Sequence, residues 1–143
     1  MSSKRNIPPA FRQLMNEQIV MYARSVKIPI EPGVGETSIP GNQTLEKAPI
    51  YGFYITVAEN AIDENGTKII TRAEAANGML TLFLNASENA LNIPLTSAIM
   101  DGKPYSFFKF YSEGFNAENS KIKFHKPFTE KRSFYITFIY DLI

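Results

Sequence analysis

The amino-acid sequence predicts an all-β fold class, an antiparallel β-sandwich with a jelly roll as the preferred connectivity, preceded by an N-terminal arm that carries a short helix. The chain of 143 residues holds 11 Phe and 7 Tyr, and such flat side chains fill the interlayer of a sandwich, which is ~10 Å thick. About eight apolar segments alternate with Gly-, Asn- and Asp-rich turns, as in sandwiches and barrels. An immunoglobulin-like sandwich is the competing architecture, but such domains usually carry Cys and Trp in the core, and this chain has neither.

The segment that most clearly predicts a strand covers residues 132–143, which contain no Gly or Pro. Its alternate residues Phe134, Ile136, Phe138 and Tyr140 form a wholly apolar face, whereas the opposite face is mixed. An edge strand this long and apolar would promote aggregation. The pattern therefore predicts a central strand that is flanked on both sides and covered by a second sheet.

Further strands are predicted by β-branched and aromatic runs between turn signals. They are expected near residues 19–30, 50–57, 68–71, 79–84, 90–95, 105–111 and 121–128. Residues 31–43, rich in Pro and Gly, are predicted to form only a loop, and Gly114 with residues 116–119 is predicted to break the strand near residues 105–111. Gly52 is predicted to mark a bulge. The Asn-Gly pairs that end at Gly66 and Gly78 are predicted to supply the positive φ of tight turns.

Residues 1–18 form the predicted arm, and residues 19–143 form the predicted single sandwich domain. In the arm, Phe11, Leu14 and Met15 lie at i, i+3 and i+4, which gives a short helix a small apolar stripe. So little apolar surface cannot order a segment by itself. We therefore predict that these three side chains are an assembly interface that docks on a neighbouring subunit. A short helix that lies on its own sandwich is the simpler alternative.

Charge and composition restrict the classes of partner. Lys and Arg number 15 against 14 Asp and Glu, which gives a net charge of +1, whereas a dedicated nucleic-acid binder needs a concentrated basic surface. We therefore expect no specific nucleic-acid partner. No run of residues approaches the ~18 apolar positions of a membrane-spanning helix, so no transmembrane segment is expected. The absence of Cys excludes disulfides and thiolate zinc sites.

Residues that carry chemistry are sparse, and the sequence predicts neither an enzyme nor a cofactor. His125 is the single His, and it lies on the outward face of its predicted strand with no second His or Cys to complete a triad or a transition-metal site. The segment from Asp63 to Gly66 places oxygen ligands beside a Gly, but it lacks the twelve-residue calcium pattern, and a plain turn is preferred. No catalytic, metal or cofactor-binding residue is therefore predicted.

Five short motifs follow one another from Leu45 onward. They are Leu45-Glu46-Lys47-Ala48-Pro49-Ile50-Tyr51-Gly52-Phe53, Leu80-Thr81-Leu82, Asn92-Ile93-Pro94-Leu95, Asn119-Ser120-Lys121-Ile122 and Phe138-Ile139-Tyr140-Asp141. This order resembles that of small single jelly-roll virion structural proteins of bacteriophages that infect Bacteroidota-type hosts. The motifs are packing signals of a β-sandwich, and residues 1–44 match nothing in that family.

The resemblance implies a non-enzymatic capsid-associated subunit of the minor-capsid, penton-type or capsid-decorating kind. Such a subunit forms homo-oligomers, contacts other capsid proteins and resides in the virion after assembly in the host cytoplasm.

The second hypothesis is a carbohydrate-binding or adhesin module. Its ligand contacts would lie in the loops around residues 63–67 and 85–89. Tyr side chains exposed on the strands would stack on sugars, although strand Tyr residues more often lie in a core or a subunit interface. The Tyr residues in question are Tyr51, Tyr54, Tyr105 and Tyr111.

Overall fold

The computed structural model describes residues 21–84, 90–100 and 108–141. These residues form nine strands, two α-helices of one turn each and a short 3₁₀ helix at Leu95–Ala98. The strands are β1 (Tyr22–Ile30), β2 (Glu36–Ser38), β3 (Pro49–Thr56), β4 (Lys68–Ile69), β5 (Gly78–Leu84), β6 (Ala90–Pro94), β7 (Phe108–Glu113), β8 (Phe115–Phe124) and β9 (Arg132–Tyr140). The helices are α1 (Gln43–Lys47) and α2 (Arg72–Ala75).

The strands lie in two sheets. The first sheet has the order β1-β9-β3-β7, with the two-residue strand β4 pairing in parallel with one end of β9. The second sheet has the order β2-β8-β5-β6. Every other strand pair is antiparallel. The structure thus confirms the predicted all-β antiparallel sandwich.

Strand β9 occupies the centre of the first sheet, as its sequence predicts. It pairs along its whole length with β1, from Tyr22 opposite Tyr140 to Ile30 opposite Arg132. On its other side it pairs with β3. The face that carries Phe134 and Phe138 is fully buried against the second sheet, so the alternation of apolar residues sets both the register and the side that points inward.

One continuous core lies between the sheets, with contributions from both. The largest side chains in it, all fully buried, are Phe53, Phe134, Phe138, Ile28, Ile30, Leu45, Ile50, Ile55, Ile70, Leu80 and Leu82. Phe53 forms ring contacts on both sides, with its ring centroid 6.0 Å from that of Phe138 and 5.5 Å from that of Phe108. These aromatic rings of the first sheet therefore fill part of the space between the two sheets.

The bulge predicted at Gly52 is present in β3. Ile50 lies opposite Tyr140 and Gly52 lies opposite Ile139, so that Tyr51 is the extra residue on β3. Gly52 has a φ of 153°, which a residue with a side chain rarely adopts.

The prediction that residues 31–43 form only a loop is partly correct. Glu36–Ser38 form β2, because this segment pairs with β8 and Glu36 forms ion pairs with Lys121 and Lys123. The loop then ends in α1, which the sequence analysis missed. Its N-cap is Asn42, whose side chain accepts a hydrogen bond from the Leu45 amide at 3.2 Å.

The Gly that follows Asn77 has a packing role rather than the predicted turn role. Positive φ occurs at Gly66, with a value of 81°, but Gly78 is not among the residues with positive φ. A Cβ atom at Gly78 would lie 2.4 Å from Leu95 Cδ1 and 2.9 Å from Phe124 Cε1. Gly78 is therefore required because the 3₁₀ helix and β8 approach the start of β5 closely.

The strand break predicted at Gly114 and residues 116–119 is confirmed at Gly114, which has a φ of 87° and separates β7 from β8. It is wrong at residues 116–119, because β8 continues through them as a bulged strand. Thr81 of β5 lies opposite Lys121, but Phe83 lies opposite Asn116, so one residue of β5 faces residues 117–120 of β8. The buried Ser120 bridges the irregularity. Its Oγ accepts from the Phe83 amide at 3.0 Å and donates to the Asn116 carbonyl at 2.6 Å, which satisfies backbone groups that the bulge removes from the ladder.

Replacement of Phe138 tests the role of β9. Phe138→Ala is expected to lower the free energy of unfolding by ~3–5 kcal/mol, because it removes a fully buried ring and leaves a cavity. Urea unfolding followed by far-UV circular dichroism measures the difference. A loss below ~1 kcal/mol would contradict the central position of β9.

His125→Ala is the control for this measurement. His125 is exposed and follows the last residue of β8, and surface substitutions usually change stability by less than ~0.5 kcal/mol. We expect the same unfolding midpoint as the unmodified chain.

Candidate functional site

The predicted assembly residues Phe11, Leu14 and Met15 lie outside the described residues, as do residues 85–89 of the alternative hypothesis. Among the polar arrangements of the described residues, two combine side chains from several strands with loops or grooves at the solvent faces of the sandwich. One is the turn at Asp63, which lies against the first sheet. The other is a groove on the second sheet.

The turn at Asp63 is closed by hydrogen bonds within the segment. The Asp63 amide donates to the Thr67 carbonyl at 2.8 Å, and the Gly66 amide donates to the Asp63 carbonyl at 3.0 Å. Asp63 Oδ1 accepts from the amides of Asn65 and Thr67, at 2.8 and 3.0 Å. This confirms the turn that the sequence predicts, with the positive φ at Gly66.

The second carboxylate oxygen of Asp63 ties the turn to the sheet. Asp63 Oδ2 accepts from Ser133 Oγ of β9 at 2.7 Å and lies 2.8 Å from Lys27 Nζ of β1. Lys27 also donates to Glu64 at 3.0 Å, and Tyr135 Oη donates to the other oxygen of Glu64 at 2.6 Å. We call these five residues the Asp63 clasp.

The Asp63 clasp shifts the pKa values of its own members. The hydrogen bond from Lys27, with those from Ser133 and from the Thr67 and Asn65 amides, holds the pKa of Asp63 well below its usual range. The same contact raises the pKa of Lys27. The hydrogen bond from Tyr135 lowers the pKa of Glu64 and raises that of Tyr135. Each shift favours the charge state that the hydrogen bonds require.

The Asp63 clasp uses its carboxylates to hold the chain together. Both Asp63 oxygens already accept hydrogen bonds from the chain's own donors, and within the described ranges no group of three or more His, Cys, Asp or Glu residues could hold a metal ion. The clasp could not be predicted from the sequence, because Lys27 and Ser133 lie far from Asp63 along the chain. A Lys, a Ser and an Asp in separate segments give no signal until the strand order is known.

The aromatic residues considered for sugar stacking have different environments. Tyr51 is buried, and its ring centroid lies 5.4 Å from that of Tyr111, which is 50% exposed. Tyr54 is half-buried, and Tyr105 lies outside the described residues. Tyr51 is therefore not available for stacking, whereas Tyr111 presents half of its surface.

The groove on the second sheet crosses β2, β8 and β5 and has a volume of about 430 Å³. We call it the bulge groove, because Asn119 on its wall belongs to the irregular part of β8. Its lining residues are Glu36, Thr81, Phe83, Asn119, Lys121 and Lys123.

Polar contacts organise the bulge groove. Glu36 lies 3.0 Å from Lys121 Nζ and 3.6 Å from Lys123 Nζ. The hydrogen bond from Lys121 lowers the pKa of Glu36. Thr81 Oγ1 donates to Asn92 Oδ1 of β6 at 2.9 Å. This hydrogen bond fixes the orientation of the Thr81 hydroxyl and of the Asn92 side-chain amide.

Asn119 is positioned by the bulge itself. The backbone amide of Asn119 donates to Asn116 Oδ1 at 3.2 Å. The neighbouring Ser120 is fully buried. The side chain of Asn119 is exposed on the groove wall. Bulges commonly re-aim a side chain in this way beside functional sites.

Comparison of the chain with protein-family models, with curated proteins and with solved structures finds no match. In the part of the chain that the structure describes, no helix has the length and apolar character needed to cross a membrane.

The Asp63 clasp predicts a specific loss of stability in acid. The folded-state pKa of Asp63 is depressed, so its stabilising contribution is present above the unfolded pKa, near ~3.9, and is lost as pH falls below that value. We expect the urea midpoint of Asp63→Asn to fall less between about pH 5 and pH 2.5 than that of the unmodified chain. Equilibrium unfolding at a series of pH values measures both slopes.

Glu59→Gln is the matched control, because Glu59 is an exposed carboxylate in the same connection between β3 and β4. Its acid slope should equal that of the unmodified chain. Equal slopes for Asp63→Asn and the unmodified chain would show that the clasp does not link stability to pH.

Proposed function

We propose that this chain is a non-enzymatic virion structural protein, a capsid-associated subunit of the minor-capsid or penton type. It forms homo-oligomers, contacts other capsid proteins and joins the particle in the host cytoplasm. The proposal also includes a jelly-roll connectivity for the sandwich.

The observation that carries the proposal is the order in which strands pair. The first strand of the described chain pairs with the ninth, β2 with β8, β3 with β7, and β5 with β6. With the two-residue β4 set aside, eight strands therefore pair from the outside of the sequence inward and divide equally between two sheets. Eight strands in two sheets with such nested pairing support a jelly roll, an architecture used by viral capsid and lectin domains.

Exposed aromatic residues support contacts with other subunits. Tyr22 and Tyr111 are 40% and 50% exposed. The ring centroid of Tyr22 lies 5.6 Å from that of the buried Tyr140, and Tyr111 packs on the buried Tyr51. Aromatic residues that are anchored in this way are enriched at protein interfaces because they bury a large area with little loss of rotamer freedom.

The proposed role of the arm rests on its place in the sequence, shortly before β1. Residues 1–18 lead into β1, whose first residue is the exposed Tyr22. Phe11, Leu14 and Met15 are proposed to dock on an adjacent subunit or on the inner face of the shell. Burial of three such side chains contributes roughly 1.5–3 kcal/mol each before ordering costs, which is enough to bias assembly but not folding.

Deletion of residues 2–18 tests this role. The thermal melting temperature of the sandwich is expected to change by less than about 3 °C, because the core that the described residues form lies within residues 26–140. Sedimentation velocity of the protein alone and mixed with shell proteins from the same particle should show weaker oligomerisation or incorporation. Unfolding on truncation would show that the arm is part of the sandwich.

A triple variant separates the apolar stripe from the length of the arm. Phe11→Ser, Leu14→Ser and Met15→Ser are combined in the full-length chain, which is expected to assemble as poorly as the truncated one. The matched control combines Asn6→Ser, Gln13→Ser and Gln18→Ser in the same segment and should assemble normally. Normal assembly of the apolar-stripe variant would contradict the docking role.

A further inference from the structure

We propose that the bulge groove binds an acidic oligosaccharide. In this arrangement a glycan that carries carboxylate groups lies across β2, β8 and β5, with a carboxylate on Lys121 and Lys123 and a sugar ring against Phe83. The proposal does not rest on a role in the virion, since it follows from the groove alone.

The shape of the groove suits a short glycan. Its volume of about 430 Å³ falls within the ~300–1,000 Å³ range of small-molecule sites. It is open along the sheet and is lined by side chains from neighbouring strands. The pairings of Glu36 with Lys123 and of Thr81 with Lys121 place these groups side by side on the solvent face. A site assembled from paired strands is fixed by the sheet rather than by a loop.

Sugar hydroxyl groups need both donors and acceptors, and the groove supplies both. Thr81 and Asn119 provide a hydroxyl and an amide, and Glu36 provides a carboxylate. Phe83 is half-buried in the same wall. The C–H groups of a pyranose ring carry partial positive charge and pack on the negative face of an aromatic ring.

The charge of the groove selects an acidic glycan over a neutral one. Two ammonium groups, those of Lys121 and Lys123, face the carboxylate of Glu36, so the described lining residues of the groove carry a net charge of +1. Each ammonium has three donors, so the ion pair with Glu36 does not exhaust the capacity of Lys121. A carboxylate placed between the two lysines would form charge-assisted hydrogen bonds.

Other classes of partner fit less well. A nucleic acid requires many cations along its path to release counterions, and the described residues that line the groove supply two lysines against one carboxylate. A protein partner usually inserts a large apolar or Arg anchor into a desolvated pocket. In the part of the chain that the structure describes, the side chains that line this groove are mainly polar, and the half-buried Phe83 is the one aromatic residue among them.

The test uses a panel of tetrasaccharides of galacturonate, glucuronate and mannuronate, each beside its uncharged methyl ester. Backbone amide chemical shifts of the full-length protein are followed by two-dimensional NMR as each probe is added up to about 10 mM, since shallow sites bind in the millimolar range. At least one acid is expected to shift the amides of Thr81, Phe83 and Asn119. Its methyl ester should bind at least about tenfold more weakly.

Variants assign the binding to the groove. Lys121→Gln is expected to weaken binding of the acidic probe by roughly tenfold or more, since it removes a charged donor. Glu36→Gln should strengthen binding several-fold, because the negative charge that competes for the lysines is lost while the Gln side chain keeps an acceptor oxygen for a sugar hydroxyl. The control Lys131→Gln removes an exposed lysine whose ion pair with Glu31 lies outside the groove and should bind as the unmodified chain does. Thermal melts of all variants confirm that they are folded.

Several results would overturn the proposal. They are the absence of groove shifts with every acid in the panel, equal binding of acid and ester, equal loss in Lys121→Gln and Lys131→Gln, or weaker binding by Glu36→Gln. Tighter binding of a twelve-base single-stranded DNA than of any acid would assign the groove to another ligand class. None of these results depends on assembly, so this proposal and the proposed virion function can fail separately.

Discussion

The pairing of β9 with both β1 and β3 is the constraint on which the rest of the sandwich depends. β9 pairs with β1 over nine positions and with β3 over six, and its inner face places Phe134 and Phe138 against the second sheet. If this strand slipped by one residue, those rings would point to solvent and Tyr135 and Thr137 would point to the core. The register of β9 therefore determines both how the first sheet pairs and which face of that sheet forms the core.

The outward face of β9 has a different task. Ser133 and Tyr135 hold the Asp63 clasp on the sheet, and Thr137 hydrogen-bonds to Ser25 of β1 at 2.8 Å. Ser133 and Thr137 are buried although they are polar, which is acceptable because each has a hydrogen-bonding partner. The polar residues of this face are thus explained by two partners: the connection between β3 and β4, which contacts Ser133 and Tyr135, and β1, which contacts Thr137.

Local patterns predicted much of the fold. The alternation in residues 132–143 predicted a central strand. The bulge at Gly52 and the positive φ at Gly66 could also be predicted, because both depend on the conformational freedom of the glycine itself. What the sequence could not reveal depends on distant partners. Glu36 looks like a loop residue until β8 lies beside it, and Gly78 looks like a turn residue until Leu95 is packed against it.

The same distinction applies to the candidate sites. The Asp63 clasp joins three segments, and the bulge groove joins strands from three parts of the chain, so neither has a sequence motif. The run of residues 116–119 did carry a signal, since its Asn residues indicated an irregularity. Sequence reasoning interpreted the irregularity as a strand end because it could not see Ser120 replace the missing ladder contacts.

The nested pairing also dictates when the sandwich can form during synthesis. Ser25 and Thr137, which hydrogen-bond between β1 and β9, are 112 residues apart, and β9 follows the other eight strands along the chain. Until the ribosome has released β9, the first sheet lacks its middle strand, and β1 and β3 present unpaired edges. Chains with contacts between such distant residues fold slowly, and unpaired strand edges can pair with other chains. In a newly made copy, the edges of β1 and β3 that β9 covers in the folded sheet therefore stay open to pairing with other chains until β9 has emerged.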